Sequence, residues 1–206
     1  MASNLSIDFF AKQFQRQIAE EEYRLNPFEQ RVLPHLAGRV LDLGCGLGNL
    51  ALEAARAGHD VTAIDACPEA VKDLDRRALA EGLPIHVREA DLTEWRATET
   101  WDTVVAIGLL MFFTCEQARD VLQQIRRAVA PGGIAAVNVL VEGTTYMAMF
   151  DPAAGYCLFP AGELEATFGD WRILLASVDD YPAPGATLKR FATVIAQRPD
   201  GQAAAL

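Results

Sequence analysis

Cysteine and histidine are scarce, at four and three of 206 residues, and neither type is clustered. Cys45, Cys67, Cys115 and Cys157 contain no C-x-x-C pair, and His35, His59 and His86 are equally scattered. Zinc ligands usually come in close pairs, so no structural metal site is expected. No secretory leader is expected either. MASNLSIDFFAKQFQRQ has no basic segment followed by an apolar stretch. The expected compartment is therefore the cytoplasm, where disulfides are not expected, and the cysteines read as small buried apolar residues. No apolar run reaches the ~18–20 residues that span a bilayer. The longest candidate, Val104 to Phe113, reads as a buried strand entering a loop. Basic charge is in deficit, with 18 Lys and Arg against 28 Asp and Glu, a net charge of −10. Without a basic patch, nucleic acid is a poor partner. That leaves a small-molecule substrate, no membrane, and a monomer or homodimer.

Hydrophobic residues make up 51% of the chain, enough for one domain with a sizeable core. Apolar residues recur at Phe10, Phe14 and Ile18 with charges between them, so residues 1–36 read as a helical cap. From Val40 the pattern alternates strand and helix. Strands are expected at Val40 to Leu43, Val61 to Ile64, Leu83 to Asp91, Trp101 to Ile107 and Gly132 to Val141. Helices are expected from Asn49 to Gly58, Pro68 to Gly82 and Glu116 to Ala130. This alternation predicts an α/β fold, a Rossmann-like, doubly wound and mostly parallel seven-stranded sheet. Residues 142–162 form a long aromatic loop, read as a lid. A short helix then precedes two strands joined through PAPGA, a connection so short that the last strand must be antiparallel. The domain would occupy residues 37–198, with a frayed tail at 199–206.

Chemistry concentrates in LDLGCGLGNL, Leu41 to Leu50. A strand, a glycine-rich turn and a helix place bare backbone at the carboxyl edge of the sheet, where open α/β folds bind ligands. Nicotinamide sites need G-x-G-x-x-G; here Gly44, Gly46 and Gly48 are spaced G-x-G-x-G. An acid in the strand end, Asp42, would repel a pyrophosphate and attract an ammonium group. VLDLGCGLG resembles the first motif of the class I S-adenosylmethionine-dependent methyltransferases. An acid ending the second strand (Asp65, in VTAIDA), one after the third (Asp91, in READL) and the Pro131-Gly132-Gly133 turn complete the resemblance over residues 38–140. It implies S-adenosylmethionine as cofactor, S-adenosylhomocysteine as product, and no metal. Asp65 would hold the ribose and Asp91 the adenine. The rest of the cofactor site would be Asp42, Gly44, Cys45, Gly46, Gly48, Asn49, Ala66, Ala90, Leu92, Ala106 and Ile107. Asp65 and Asp91 have a plainer reading as helix caps, and Cys45 would contribute backbone.

Beyond the general motifs the chain is similar to the tellurite-resistance, TehB-like family. The likeness rests on Tyr23 and Leu25, Leu110-Met111-Phe112, Phe159 with Gly162-Glu163-Leu164, Trp171, and Arg190-Phe191-Ala192-Thr193. The chain departs from that pattern where a His-Arg pair can stand in the last hairpin, since no histidine follows His86. Cys157 replaces an aromatic and Pro27 an arginine. An apolar mouth of Met111, Phe112, Met147, Met149, Phe150, Tyr156 and Phe159 is expected, with Tyr23, Met111 and Tyr156 as candidate catalytic residues. Of the strand neighbours Lys189 and Arg190, only one can face the site. The expected reaction is methyl transfer to a small, soft or apolar acceptor: a chalcogen oxyanion, a thiol or a natural-product-like compound. A sensing module that binds cofactor without turnover is the alternative.

Overall fold

A computed structural model describes residues 5–201. The first four residues of the expected cap and most of the expected tail, 202–206, lie outside the described residues. The cap contains α1 (Leu5–Ala19) and α2 (Pro27–Val32). The sheet follows as β1 (Arg39–Leu43), β2 (Asp60–Asp65), β3 (Ile85–Glu89), β4 (Trp101–Ile107), β5 (Val129–Leu140), β6 (Arg172–Ala183) and β7 (Thr187–Gln197). Its helices are α3 (Asn49–Arg56), α4 (Pro68–Glu81), α5 (Cys115–Ala128) and α6 (Glu163–Thr167). The strand order is β3-β2-β1-β4-β5-β7-β6. Only β7 runs against the others, antiparallel to both β5 and β6. The order reverses between β1 and β4, the switch point at which a doubly wound sheet opens a crevice.

Local chemistry explains most boundaries. Pro68 starts α4 with a ring already set for the first helical turn, and Gly82 ends it in the left-handed conformation. Thr114 and Gln117 form a capping box at the start of α5; Asn26 and Glu29 form another at α2. The α5 helix stops at Ala128, two residues earlier than the apolar pattern suggests. Pro131 disfavours helical backbone at Ala130, and Val129 to Gly133 join β5 instead. The core lies on both faces of the sheet. Leu41, Leu43, Val104, Val137 and Val139 pack toward α5 and α6. Val40, Val61, Val105, Ala136 and Ile195 pack toward α3 and α4.

The cysteines correct one expectation. Cys115 and Cys157 form a disulfide across 42 residues of sequence, while Cys45 and Cys67 are free and buried. Sequence spacing hid the pair because its partners meet only through the fold. Cys115 opens α5, and Cys157 lies in the lid segment that returns to the sheet edge beside it, its N–H donating to the Met111 carbonyl at 3.0 Å. No helix among the described residues is long and apolar enough to cross a membrane.

Candidate active site

The glycine turn is held from below by β2. The N–H groups of Gly44 and Cys45 both donate to the Ile64 carbonyl, at 2.8 and 3.1 Å. Gly44, Gly46 and Gly48 all have left-handed backbone, with φ of 71°, 53° and 66°, which side-chain-bearing residues adopt at a cost. Space is closed as well. A Cβ at Gly44 would sit 3.0 Å from Leu109, one at Gly46 3.1 Å from Phe14, and one at Gly48 would overlap the Leu74 side chain. Gly48→Ala therefore meets strain and overlap together. It is expected to lower stability by about 2 kcal/mol, read as a lower midpoint in urea unfolding with an unchanged slope.

The two acids flanking the turn have different surroundings. Asp65 ends β2, and its carboxylate accepts from the Gly46 N–H and the Cys67 N–H, each at 2.8 Å. It ties the glycine turn to the start of α4 and keeps lone pairs for a further donor. Burial raises its pKa, and the bonds from Cys67, Gly46 and Ala66 pull it back. Asp42 is 5% exposed, and its side chain makes no hydrogen bond or ion pair among the described residues. Burial first, then the negative charges of Glu29 and Asp65, pushes its carboxyl up to about 8. Glu29, on α2, is itself raised to about 7 by burial, against a backbone bond from Asn26. Near neutral pH burial thus keeps it protonated in the empty protein, and a cation placed beside it would favour its charged form.

The other expected cofactor residues fall into three groups. Asp91 is exposed and caps the turn at Leu92–Glu94, accepting from the Thr93 N–H and hydroxyl at 2.9 and 2.7 Å, so its capping role is present. Ala66 and Ala90 lie beside Asp65, with the Ala90 N–H donating to the Asp65 carbonyl at 3.0 Å. Leu92 and Ala106 are buried core residues, whereas Ile107 is half-buried at the end of β4. Asn49 fastens α3 to the cap, donating to the Arg24 carbonyl at 3.3 Å and accepting from Arg77 at 3.3 Å. Cys45 is buried, and burial drives its thiol pKa well above the ordinary value, leaving its backbone as its contribution.

The structure separates the three candidate catalytic side chains. Met111 is buried with Leu140, Met149 and Phe150, and Phe112, Tyr146, Met147 and Phe191 pack around them. Tyr156, 40% exposed, stacks on Phe150 at 4.8 Å. Tyr23 is elsewhere. It packs with Leu47, Cys67 and Ala70, lies under the Arg77 guanidinium at 4.0 Å and donates weakly to Asp73 at 3.4 Å. Desolvation raises its pKa first, then the Asp73 charge. Tyr23 therefore clamps the cap to α4, outside the mouth. Phe159 leaves the mouth too. It is fully buried in the cluster on the α5 face, because its strand-like pairing with Val141 turns the ring inward.

A file of ring contacts runs from the Met111 cluster to α1 and the glycine turn. Phe150 contacts Phe112 at 5.4 Å, Phe112 contacts Phe10 at 5.1 Å, and Phe10 contacts Phe14 at 5.8 Å. Phe14 is the ring that meets Gly46. Phe28 on α2 adds contacts to Tyr181 and Phe191 at 5.3 and 4.9 Å. Lys189 and Arg190 divide as their alternation requires. Arg190 pairs with Asp180 at 2.7 Å, while half-buried Lys189 lies over the Tyr146 ring at 4.7 Å, its pKa lowered by desolvation. Among the described residues, no group of three or more His, Cys, Asp or Glu is placed to hold a metal ion.

Comparison with known proteins agrees with this geometry. A family model described as a methyltransferase domain matches residues 40–133. The probable S-adenosyl-L-methionine-dependent methyltransferase TehB of Haemophilus influenzae is 25% identical over 166 residues, covering 78% of this chain and 57% of TehB. Hemagglutinin 1 of Eikenella corrodens is 27% identical over 173 residues, covering 78% of this chain and 55% of its own. The chain thus spans a little over half the length of these curated relatives. The crystal structure of H. influenzae TehB superposes with a TM-score of 0.73 at 21% identity, over 84% of this chain and 62% of that one. A Burkholderia thailandensis 1,6-didemethyltoxoflavin-N1-methyltransferase, solved with 1,6-didemethyltoxoflavin and S-adenosylhomocysteine bound, gives 0.67 at 20% identity, over 97% and 92%. These structural likenesses show a shared fold.

Proposed function

We propose that this chain, a class I S-adenosylmethionine-dependent methyltransferase close to the TehB-like proteins, methylates a small, soft or largely apolar acceptor held in the mouth lined by Met111, Phe112, Met149, Phe150 and Tyr156. The observation that carries the reading is the buried, unpartnered Asp42 carboxylate at the head of three left-handed glycines. An acceptor-only pit beside bare backbone suits a ligand with an ammonium group and a flat, close-packed body. The residues present fit that cofactor. Asp42 would receive the ammonium, the Gly44 to Gly48 backbone would cradle the chain of atoms leading to sulfur, and Asp65 would receive the ribose hydroxyls. Asp91, if its cap opens, would receive the adenine amine.

When bound, the cofactor supplies a methyl group on a positively charged sulfur, which is already a good leaving group. The protein's share is then alignment and exclusion of water. The Met and aromatic side chains give the acceptor a dry surface, and α1 covers the glycine turn through Phe14. A soft nucleophile needs no base there, whereas a hydroxyl would.

Asp65→Ala is expected to weaken cofactor binding by about 3 kcal/mol, since each charge-assisted bond contributes ~1.5–3 kcal/mol. Unchanged affinity in calorimetry would remove Asp65 from the site. The reading as a whole is tested by isotope transfer from labelled cofactor, in sealed vials, to tellurite, selenite, thiols, phenols and amines. Labelled product supports it. Bound cofactor with no product across the panel would instead favour a sensing role.

A further inference from the structure

Among the described residues, one side-chain oxygen wholly shut off from solvent has no hydrogen-bond partner: Oδ1 of Asn138; the Asp42 carboxylate, also unpaired, keeps contact with solvent. Asn138 is 1% exposed and stands on β5 opposite Ile107, the last residue of β4. The Gly108 N–H donates to its backbone carbonyl at 3.0 Å. Alternation along β5 gives its side chain the same face as Ala136 and Leu140. Ala136 belongs to the cluster with Val105 and Ile195, and Leu140 to the mouth cluster with Met111, Met149 and Phe150. Asn138 therefore sits where the core ends and the mouth begins.

Its amide is oriented. Nδ2 donates to the Thr193 hydroxyl at 2.9 Å and, less directly, to the Ala192 carbonyl at 3.4 Å, both on β7. Holding Nδ2 on the β7 side turns Oδ1 to the other side of the amide, toward the end of β4. A purely structural asparagine, stitching β5 to β7, accounts for Nδ2 but not for Oδ1. Leaving a buried acceptor unpaired forfeits its hydration without compensation, and folded proteins keep few such groups without a reason. An apolar pair at 138 and 193 would avoid the cost.

We propose that Asn138 Oδ1 accepts a hydrogen bond from the methyl acceptor, so that Asn138 selects small acceptors carrying an N–H or O–H, namely amines and hydroxyl compounds. This rests on the methyltransferase reading and narrows it away from oxyanions that offer no donor. Asn138 moves no proton. It holds the acceptor's N–H or O–H so that the lone pair on the same atom points at the methyl carbon. The new bond forms from that lone pair and the carbon–sulfur bond breaks with its electrons passing to sulfur; an amine gives its proton to water after the transfer, whereas a hydroxyl gives its proton, as the bond forms, to a water molecule acting as the base.

The test uses the full chain saturated with S-adenosylhomocysteine and two matched probe pairs: phenol with anisole, and aniline with N,N-dimethylaniline. Binding is followed by NMR titration. The inference expects the donor-bearing member of each pair to bind about tenfold more tightly, the scale of one hydrogen bond to an otherwise unpaired buried acceptor. It expects Asn138→Leu combined with Thr193→Val to erase that preference, leave S-adenosylhomocysteine affinity within twofold, and give a ligand-free melting temperature at or above wild type. Equal binding of both members to the wild-type chain, including no binding of either, overturns the inference, and that arm does not depend on how the variant folds. Preference retained in the double variant overturns it as well. Failure of the wild-type chain to bind S-adenosylhomocysteine overturns the methyltransferase reading first, and the inference with it.

Discussion

Asp42→Asn is expected to stabilise the ligand-free chain at pH 8 by on the order of 4 kcal/mol and, in the same sample, to weaken cofactor binding. The folded-state pKa of Asp42 is raised from 3.8 to about 8, and each unit corresponds to about 1.4 kcal/mol. Part of that shift belongs to Glu29, whose negative charge is among its causes. Between the ordinary carboxylate range and about pH 8, the folded chain keeps a proton that the unfolded chain has released. Stability therefore falls as pH rises through this window and levels off above it. Glu29, raised to about 7, acts in the same direction over a narrower range. Urea unfolding of the wild-type chain at pH 5 and pH 8 should show the loss, and Asp42→Asn should flatten it. Equal stability at both pH values in the wild type would show that Asp42 is not an unpaired buried acid. A residue whose removal stabilises the empty protein while disabling it is one kept for a ligand.

Reducing the Cys115–Cys157 disulfide is expected to cost about 4 kcal/mol, the chain-entropy value for a loop of this length, given a sequence separation of 42. Thermal unfolding with and without a thiol reductant, and of Cys157→Ser, reads the effect. The loss should be local as well as global. With the staple open, the segment around Tyr156 to Phe159 keeps its backbone bonds to Met111, Leu140 and Glu142 and its side-chain packing, but loses its covalent tie to α5. Amide exchange should then rise first within residues 142–162. Four titratable thiols in the unfolded, unreduced protein, in place of two, would refute the bond.

The sheet was legible because its signals are local. A run such as VLDLG, buried on both faces in the middle of a parallel sheet, is apolar almost throughout, and Pro68, Gly82 and Thr114 mark helix ends by their own backbone and capping chemistry. The glycine turn was legible for the same reason. What failed needed distance. Tyr23 was expected among the catalytic groups, but the Arg77 guanidinium and Leu47 hold it against α4, the Arg77 contact spanning more than fifty residues. Phe159 was assigned to the mouth by its place in an aromatic loop, and one pairing with Val141 turned it away. The disulfide is of this kind too. Asn138 had a local signal that passed unused: a single polar residue in the apolar run AAVNVLV, on the inward-facing register. Asp91 was read both as a ligand group and as a cap, and the cap is the role that its hydrogen bonds with Thr93 fill.

The file of rings from Tyr156 through Phe150, Phe112 and Phe10 to Phe14 has a kinetic consequence. Its far end lies on Gly46, where the proposed cofactor would rest, and its near end walls the space for the acceptor. Phe10 and Phe14 are on one helix, so swinging α1 aside unroofs both compartments at once. The two reactants would share a door. Tethering α1 in place would then restrict the access of cofactor and acceptor together, and truncating it would open both.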